Sequence, residues 1–302
     1  MLAPVKLTPE GPEVSPIIAG VMTWGVWGRQ LNATQMLELI EQAVELGITT
    51  FDHADIYGHF TTEATFGEAL ALKPALRKKI QLITKCGIKL VTPNRPTYKI
   101  KSYDTGVAHI IESVNRSLKN LQTDYIDLLL IHRPDPLMDP ADIAKAFKWL
   151  RQDGKVRHFG VSNFTPSQFE LVNNAFSLIT NQVQANLLHR DPFVDGTFDQ
   201  CMLKQIRPMA WSPLGGSQLF AKEPSEQIQR IREAAEPLQE KYGASFDQIL
   251  TAWLLRHPAG IIPVLGTTRI ERLKAAVEAQ SIQLQREEWF MLWQAAAGEE
   301  VA

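Results

Sequence analysis

The sequence has few of the features that mark secreted, membrane or nucleic-acid-binding proteins. Its 302 residues include two cysteines, Cys86 and Cys201, too few and too far apart for a disulfide framework or a zinc site. No window approaches ~18 uninterrupted apolar residues, and no long apolar stretch follows the start, which predicts neither a membrane span nor a signal peptide. The formal net charge of -2 gives no electrostatic basis for binding nucleic acid. We therefore expect a cytoplasmic protein, and we interpret the basic residues from Lys89 to Lys101 as a solvated loop.

The sequence also lacks the glycine-rich motifs of the common nucleotide-binding folds. Neither G-x-G-x-x-G nor a P-loop is present, which argues against an open doubly wound sheet, because that fold normally carries the first motif after its first strand. Hydrophobic residues make up 45% of the chain, enough for a large core. No shift in composition divides the sequence, so we expect one domain over residues 1–302.

Short apolar runs typical of strands alternate with segments of helical periodicity along most of the chain. A first helix is predicted to begin after Asn32 or Thr34 and to stop at Gly47. Eight strands, each followed by a helix, predict an α/β fold, a closed (β/α)8 TIM barrel with extra helices after the seventh strand and at the C terminus. The first dozen residues would form a hairpin that plugs the lower end. The predicted strands are 17–21, 48–51, 80–84, 126–131, 158–161, 180–183, 207–210 and 261–264, and the later helices are 62–71, 106–120, 140–153, 166–176, 197–205, 226–242, 245–256, 269–279 and 286–297.

Four candidate catalytic side chains lie just beyond three of these apolar runs: Asp52, Tyr57, Lys85 and His132. If the runs are neighbouring parallel strands, a carboxylate, a phenol, an ammonium and an imidazole share one pocket at the rim of the barrel. Lys85 would lower the pKa of Tyr57 from its ordinary value near 10. Asp52 would hold Lys85 in its charged form, and His132 would hydrogen-bond to a substrate oxygen. The set suits proton transfer to a carbonyl during its reduction.

Two other chemistries use some of the same residues. His53 and Asp55 could belong to a metal-dependent barrel hydrolase, although such sites need several His and Asp ligands from different strand ends. Among the seven histidines, His53 and His132 alone fall at suitable ends, so we expect no metal. A Schiff-base aldolase using Lys85 is disfavoured, because Asp52 would keep that lysine protonated and poorly nucleophilic.

At these residues the chain resembles the aldo-keto reductase superfamily, monomeric (β/α)8 barrels that bind NADP(H) without a Rossmann fold. The run FDHADIYG at 51–58 is similar to the family signature, although the family usually has threonine in place of His53. Segments 131–138 and 154–164 are similar to the bacterial YdhF-type group of predicted oxidoreductases. The resemblance covers nearly the whole chain and implies an NADPH-dependent carbonyl reductase. It makes Tyr57 the general acid, with Lys85 lowering its pKa, Asp52 holding Lys85 and His132 orienting the carbonyl.

The same resemblance implies a set of residues that bind NADPH. Three regions contribute to the nicotinamide end: the loop after the first strand, the ends of strands five and six, and an aromatic residue at the end of strand seven. A glycine-containing loop would bind the pyrophosphate. Basic residues at the start of the helix after the eighth strand would bind the 2'-phosphate. The residues are Gly20, Thr23 and Trp24; Ser162, Asn163 and Gln182; Trp211; Ser212, Pro213, Leu214, Gly215 and Gly216; and Gly266, Thr267, Thr268, Arg269 and Arg272.

The chain departs from the family pattern at several of these positions. Val264 and Leu265 stand where many members have Lys-Ser, and Ala276 stands where many have an asparagine that contacts adenine. Trp211 stands where tyrosine or phenylalanine is commoner. NADPH remains the favoured cofactor, with looser discrimination against NADH as the alternative.

The substrate is predicted only as a class. Trp24, Trp27 and Phe60, with Phe164, would line an apolar mouth suited to aromatic or medium-chain aldehydes and ketones. The long connection over 88–103 is of a length that often serves binding. A nicotinamide-binding regulator is the rival function, because potassium-channel β subunits share this barrel and a similar Arg-Pro-Asp-Pro stretch.

Overall fold

The computed structural model describes residues 2–216 and 218–302, and it contains two short hairpins and eight barrel strands. The barrel strands are β3 to β5 and β8 to β12. The strands are β1 (Val5–Lys6), β2 (Glu13–Val14), β3 (Ile18–Gly20), β4 (Thr50–Asp52), β5 (Gln81–Cys86), β6 (Ile88–Lys89), β7 (Ser102–Tyr103), β8 (Ile126–Ile131), β9 (Val156–Ser162), β10 (Asn181–Gln184), β11 (Met209–Trp211) and β12 (Ile262–Leu265).

Helices alternate with these strands and form the outer layer. Most predicted helices are present within three residues of their expected ends, and α8 and α11 match them fully. The helices are α1 (Ala33–Glu45), α2 (Tyr57–Phe60), α3 (Thr62–Leu72), α4 (Val107–Leu121), α5 (Pro140–Gln152), α6 (Pro166–Asn173), α7 (Thr197–Leu203), α8 (Glu226–Tyr242), α9 (Phe246–Leu255), α10 (Ile270–Glu278) and α11 (Arg286–Ala297). None of them, in the ranges that the structure describes, has the length and apolar character to cross a bilayer.

The eight parallel strands pair in the closed order β10-β11-β12-β3-β4-β5-β8-β9. This confirms the predicted (β/α)8 barrel with additional helices after the seventh strand and at the C terminus. β5 is longer than predicted, because its register with β8 continues through Lys85 opposite Leu130 and Cys86 opposite Ile131. Lys85 therefore lies inside a strand and not beyond its end, so its side chain is fixed by the barrel itself.

The lower end of the barrel is closed by the predicted hairpin of β1 and β2. Val5 pairs with Val14 in antiparallel register, and the amide of Leu7 donates to the carbonyl of Pro12 at 3.0 Å. Leu7 is fully buried and packs with Ile18, Leu130 and other apolar side chains of the barrel interior. The hairpin is also hydrogen-bonded to the segment before β11, because the amide of Arg207 donates to the carbonyl of Leu7 at 2.9 Å.

Local sequence signals set the ends of α1 as predicted. The side chain of Asn32 accepts from the amide of Gln35 at 3.0 Å, and the Gln35 side chain accepts from the amide of Asn32 at 3.0 Å. This reciprocal capping box satisfies two of the amides that every helix start leaves unpaired.

The connection over 88–103 is not a plain loop, because β6 and β7 form a small antiparallel hairpin beside the barrel rim.

Candidate active site

The four predicted catalytic residues come together at the carboxyl end of the barrel. The Nζ atom of Lys85 lies 2.8 Å and 2.7 Å from the two carboxylate oxygens of Asp52, the last residue of β4. The same nitrogen donates to the carbonyl of His53 at 2.8 Å and to the Oη atom of Tyr57 at 3.3 Å. Lys85 is 1% exposed. One buried ammonium therefore joins a carboxylate to a phenol.

Burial and charge oppose each other at Tyr57 and at Lys85. Burial raises the pKa of Tyr57 above its ordinary value, and the charge of Lys85 offsets this only in part. Lys85 thus acts in the predicted direction, but burial has the larger effect and the net pKa of Tyr57 is not below its ordinary value. At Lys85 burial is the largest single effect and favours the neutral amine, but the charges and hydrogen bonds of Asp52 and Tyr57 together outweigh it, and the pKa of Lys85 is raised. Near neutral pH the pair is a phenol beside an ammonium.

His132 is held at the end of β8 as an uncharged imidazole. Burial, followed by the charges of Lys85, Arg133 and Lys101, places the pKa of His132 well below its ordinary value. Its amide donates to the carbonyl of Cys86 at 2.8 Å, and its ring lies edge-on to the ring of Tyr57, with 6.1 Å between the centroids. A neutral imidazole can donate one hydrogen bond into the space beside the Tyr57 hydroxyl.

These residues open into one cavity of about 710 Å³, within the usual size of a ligand site. Its lining includes Trp27, Tyr103 and Arg272. Most predicted site residues line it. They are Gly20, Thr23, Trp27, Asp52, Tyr57, His132, Ser162, Asn163, Gln182, Trp211, Ser212, Pro213, Leu214, Gly216, Gly266, Thr267 and Arg272.

Trp24 is not among the lining residues, so its predicted contact with nicotinamide and substrate is corrected. Its side chain is fully buried between the barrel and the helices, where it packs against Phe51 and Phe66 at 6.1 Å and 6.2 Å between ring centroids. Its Nε1 atom donates to the carbonyl of Thr267 at 2.9 Å. Trp24 thus connects the loop after β3 to the loop after β12 from behind the cavity.

Phe60 and Phe164 are also buried and absent from the cavity lining, so Trp27 is the one predicted mouth aromatic that lines it. Phe60 is 8% exposed and packs with Ala54, Ile56 and Ile88, and the guanidinium of Arg95 lies 4.4 Å from its ring centroid. Phe164 is 1% exposed within the core between the barrel and its outer helices. A sequence pattern places these aromatic residues in rim loops but does not fix which way their rings point.

The cavity wall includes residues that sequence reasoning missed. The hairpin of β6 and β7 contributes Ile88, Leu90, Lys101 and Tyr103, and Arg133 follows His132. Lys101 belongs to the basic stretch interpreted as a solvated loop; it is exposed, as that interpretation expects, but it also lines the cavity. The length of the 88–103 connection was the available signal, together with the position of Arg133 directly after a predicted catalytic residue.

The predicted carboxamide-binding residues are hydrogen-bonded to one another and to the catalytic group. The indole Nε1 of Trp211 donates to the Oδ1 atom of Asn163 at 2.9 Å. The Nδ2 atom of Asn163 donates to the Oγ atom of Ser162 at 2.8 Å and to the carbonyl of His132 at 3.2 Å. The Nε2 atom of Gln182 donates to Asp52 Oδ1 at 3.0 Å. Hydrogen bonds thus connect the predicted carboxamide-binding residues to the catalytic residues Asp52 and His132.

The backbone after the later strands suits a phosphate-bearing ligand. Asn163 and Ser212 adopt left-handed φ values of 63° and 49°, a conformation that is uncommon outside glycine and concentrates at functional sites. Gly215 and Gly216, at φ values of 64° and 63°, tolerate it without a side-chain clash. The polar side chains of the lining and this glycine-containing loop therefore fit a dinucleotide.

The two arginines near the end of β12 differ in position. Arg272, in the first turn of α10, lines the cavity, and its guanidinium lies 5.7 Å from the ring centroid of Phe220. Arg269 is outside the cavity, with its Nε atom 3.9 Å from Glu271 Oε2. The predicted contribution of Arg269 to the site is therefore corrected.

The residues of the metal-hydrolase alternative lie behind the cavity wall. His53 is fully buried, its ring packs edge-on against Phe66 at 4.3 Å between centroids, and burial lowers the pKa of His53 to about 3. Asp55 is 5% exposed, and burial raises the pKa of its carboxyl well above the ordinary value. Within 2–216 and 218–302, no group of three or more His, Cys, Asp or Glu residues could hold a metal ion.

Comparison with known proteins agrees with this geometry. The Aldo/keto reductase family model matches residues 16–296. The chain is 46% identical to oxidoreductase YdhF of Escherichia coli over 304 residues, which covers 100% of both chains, and this confirms the YdhF-type resemblance. It is 44% identical to a 6-dehydroglucose reductase of Agrobacterium fabrum over 87% of this chain and 88% of the relative. A crystal structure of a thermostable aldo-keto reductase with the inhibitor epalrestat superposes with a TM-score of 0.80 at 28% identity, covering 97% of this chain and 100% of that one. The chain belongs to the aldo/keto reductase family of oxidoreductases.

Proposed function

We propose that the protein is an NADPH-dependent carbonyl reductase that acts as a single-domain monomer in the cytoplasm on aldehydes or ketones. The observation that carries the proposal is the contact of one buried ammonium, Lys85, with both Asp52 and the hydroxyl of Tyr57. NADPH would supply the hydride to the carbonyl carbon.

Tyr57 donates the proton that completes the reduction. Because the pKa of Tyr57 is raised by burial, its hydroxyl is protonated near neutral pH and ready to act as an acid. As the proton moves to the carbonyl oxygen, the phenolate that forms lies beside Lys85, whose charge stabilises it at short range. Asp52 keeps Lys85 charged through this step. The neutral His132 donates a hydrogen bond to the same oxygen and orients the carbonyl.

The remaining lining residues position the cofactor. Asn163 and Gln182 carry amide groups, which offer both a donor and an acceptor to the nicotinamide carboxamide, and Trp211 provides a flat surface for the ring. The loop over 212–216 would hold the pyrophosphate through backbone amides. Arg272 would bind the 2'-phosphate, since a guanidinium matches such an oxyanion with paired donors.

The substrate class is narrowed by the two cationic side chains in the cavity wall. With Trp27 as the remaining aromatic of the expected mouth and with Lys101 and Arg133 in the wall, we favour small polar aldehydes over aromatic ones. The similarity to a relative named 6-dehydroglucose reductase makes an oxidised sugar one compound to test.

Steady-state assays of the purified protein test the proposal. NADPH consumption would be followed by absorbance with a panel of small polar, aromatic and aliphatic aldehydes. We expect turnover by the natural protein, and loss of most of it in Tyr57→Phe while NADPH binding, measured by fluorescence, stays nearly normal. Tight NADPH binding without reduction of any aldehyde would favour the regulatory alternative. Undiminished reduction by Tyr57→Phe would refute the acid role.

A further inference from the structure

Two cationic side chains of the cavity wall belong to loops opposite those that carry the phosphate-binding residues. Lys101 is exposed and directly precedes β7, whereas Arg133 is half-buried and follows β8. The loops that carry them follow β5 and β8, which are neighbours in the barrel, and the phosphate loop and Arg272 follow β11 and β12 on the opposite side. The loops that carry the two cations therefore begin on the side of the barrel that holds Lys85 and His132.

The acidic side chains near these two cations have other partners. Asp52 is the one carboxylate among the described residues that line the cavity, and it is bonded to Lys85. Asp104, close to Lys101 in sequence, lies 3.6 Å from Lys89 and 3.7 Å from His109. Asp135, close to Arg133, accepts from Thr105 and from the amide of Leu137. Asp191 and Asp195 line a surface pocket with Arg133 but form no salt bridge with it. In the part of the chain that the structure describes, neither Lys101 nor Arg133 is in a salt bridge, so both charges are available to a ligand.

The two cations act on the same place in the cavity. Both contribute to the lowered pKa of His132, after burial and Lys85. The guanidinium of Arg133 also lies 5.6 Å from the ring centroid of Trp211, the residue assigned to the nicotinamide. A cleft lined by charges of one sign concentrates counter-charged ligands, and arginine and lysine bind carboxylate and phosphate groups through charge-assisted hydrogen bonds.

We propose that Lys101 and Arg133 bind an anionic group on the carbonyl substrate, so that the preferred substrates are small aldehydes or ketones bearing a carboxylate or a phosphate. The inference rests on the proposed function, because it concerns the substrate of that same site. Trp27 and Leu90 would cover the short apolar part of such a compound.

Matched pairs of aldehydes measure this preference as the ratio of kcat/KM for the anionic aldehyde to kcat/KM for its neutral partner. Succinic semialdehyde would be compared with its neutral methyl ester, and glyceraldehyde 3-phosphate with glyceraldehyde, which separates carboxylate from phosphate recognition. We expect kcat/KM for at least one anion to exceed that for its neutral partner by about tenfold or more, as for one hydrogen bond to a charged group. The ratio should fall toward one in Lys101→Gln and in Arg133→Gln, and it should fall when ionic strength is raised.

Lys99→Gln is the matched control, because it removes the same charge from the same hairpin at a side chain outside the cavity wall. Its ratio should equal that of the natural protein. A preference for neutral partners, or an anion preference that survives in both Lys101→Gln and Arg133→Gln, would overturn the inference. Equal kcat/KM values for glyceraldehyde and its phosphate, and for the acid and its ester, would also overturn the inference.

Calorimetry separates this inference from the proposed function. Succinate and its uncharged diamide would be titrated into the protein with and without NADP+. Succinate binding that weakens in Lys101→Gln and Arg133→Gln, but not in Lys99→Gln, would support the anion site even if no aldehyde were reduced. Equal binding of succinate and the diamide would contradict the anion site even if carbonyl reduction were active.

Discussion

Replacing Asp52 by asparagine should expose how much the buried ammonium depends on its carboxylate. The side chain of Lys85 is 1% exposed and that of Asp52 is 3% exposed, so water cannot take over the lost contact. Breaking a buried ion pair by removing one partner costs about 3–5 kcal/mol, because it leaves a charge buried without compensation. We expect Asp52→Asn to lower the free energy of unfolding at pH 7 by that amount in urea titrations.

The pH dependence of this loss follows from the direction of the Lys85 pKa. In the natural protein the pKa is raised, so the contribution of Lys85 to stability is present below its unfolded pKa of ~10.4 and is lost as pH rises through the folded value. Without Asp52, burial should lower the pKa of Lys85 below the unfolded value. The variant is then destabilised at neutral pH, and its deficit should shrink as pH approaches ~10.

The exposed pair of Lys73 and Glu41 provides the control. Its side chains are 54% and 33% exposed, so Glu41→Gln should change the unfolding free energy by about 0–1 kcal/mol with little dependence on pH. If Asp52→Asn loses no more than Glu41→Gln at pH 7, then the buried carboxylate does not hold Lys85 charged, and the explanation of the proton-transfer step fails with it.

Two further predictions concern the cofactor and the acid. Arg272→Ala should raise the KM for NADPH far more than that for NADH, because Arg272 lines the cavity and Arg269 does not; equal effects on both cofactors would remove the 2'-phosphate role. Because the pKa of Tyr57 is raised, the rate of aldehyde reduction should stay nearly flat from about pH 6 to 9, and kcat measured across that range should show no loss of a protonated group.

The fold and the catalytic group could be predicted from the sequence because both depend on regular features. Strand and helix periodicity sets the barrel, and the barrel brings side chains at strand ends to one rim whatever the details of the loops. Asp52, Lys85 and His132 are placed by backbone register alone, and Tyr57 follows β4 after a short turn. Their approach to one another therefore needed no knowledge of side-chain packing.

The orientation of loop side chains could not be predicted in this way. Trp24 and Phe60 occupy rim loops, as expected, but each gains more by packing into an apolar cluster than by lining a wet cavity. The sign of the Tyr57 pKa shift was also missed, because burial and a neighbouring charge oppose each other and their balance depends on the final geometry. Lys101 reaches the cavity through the β6–β7 hairpin, whose pairing depends on contacts distant in sequence.

The bond from Trp24 to Thr267 joins the first and the last strands of the barrel at their upper ends. Thr23 reinforces that junction through a bond of 3.2 Å from its hydroxyl to the carbonyl of Gly266. A dinucleotide lying between these two loops would therefore bridge the seam at which the chain closes into a ring. Binding of the cofactor would then stabilise the closed barrel at this seam, and a more stable seam would in turn favour cofactor binding.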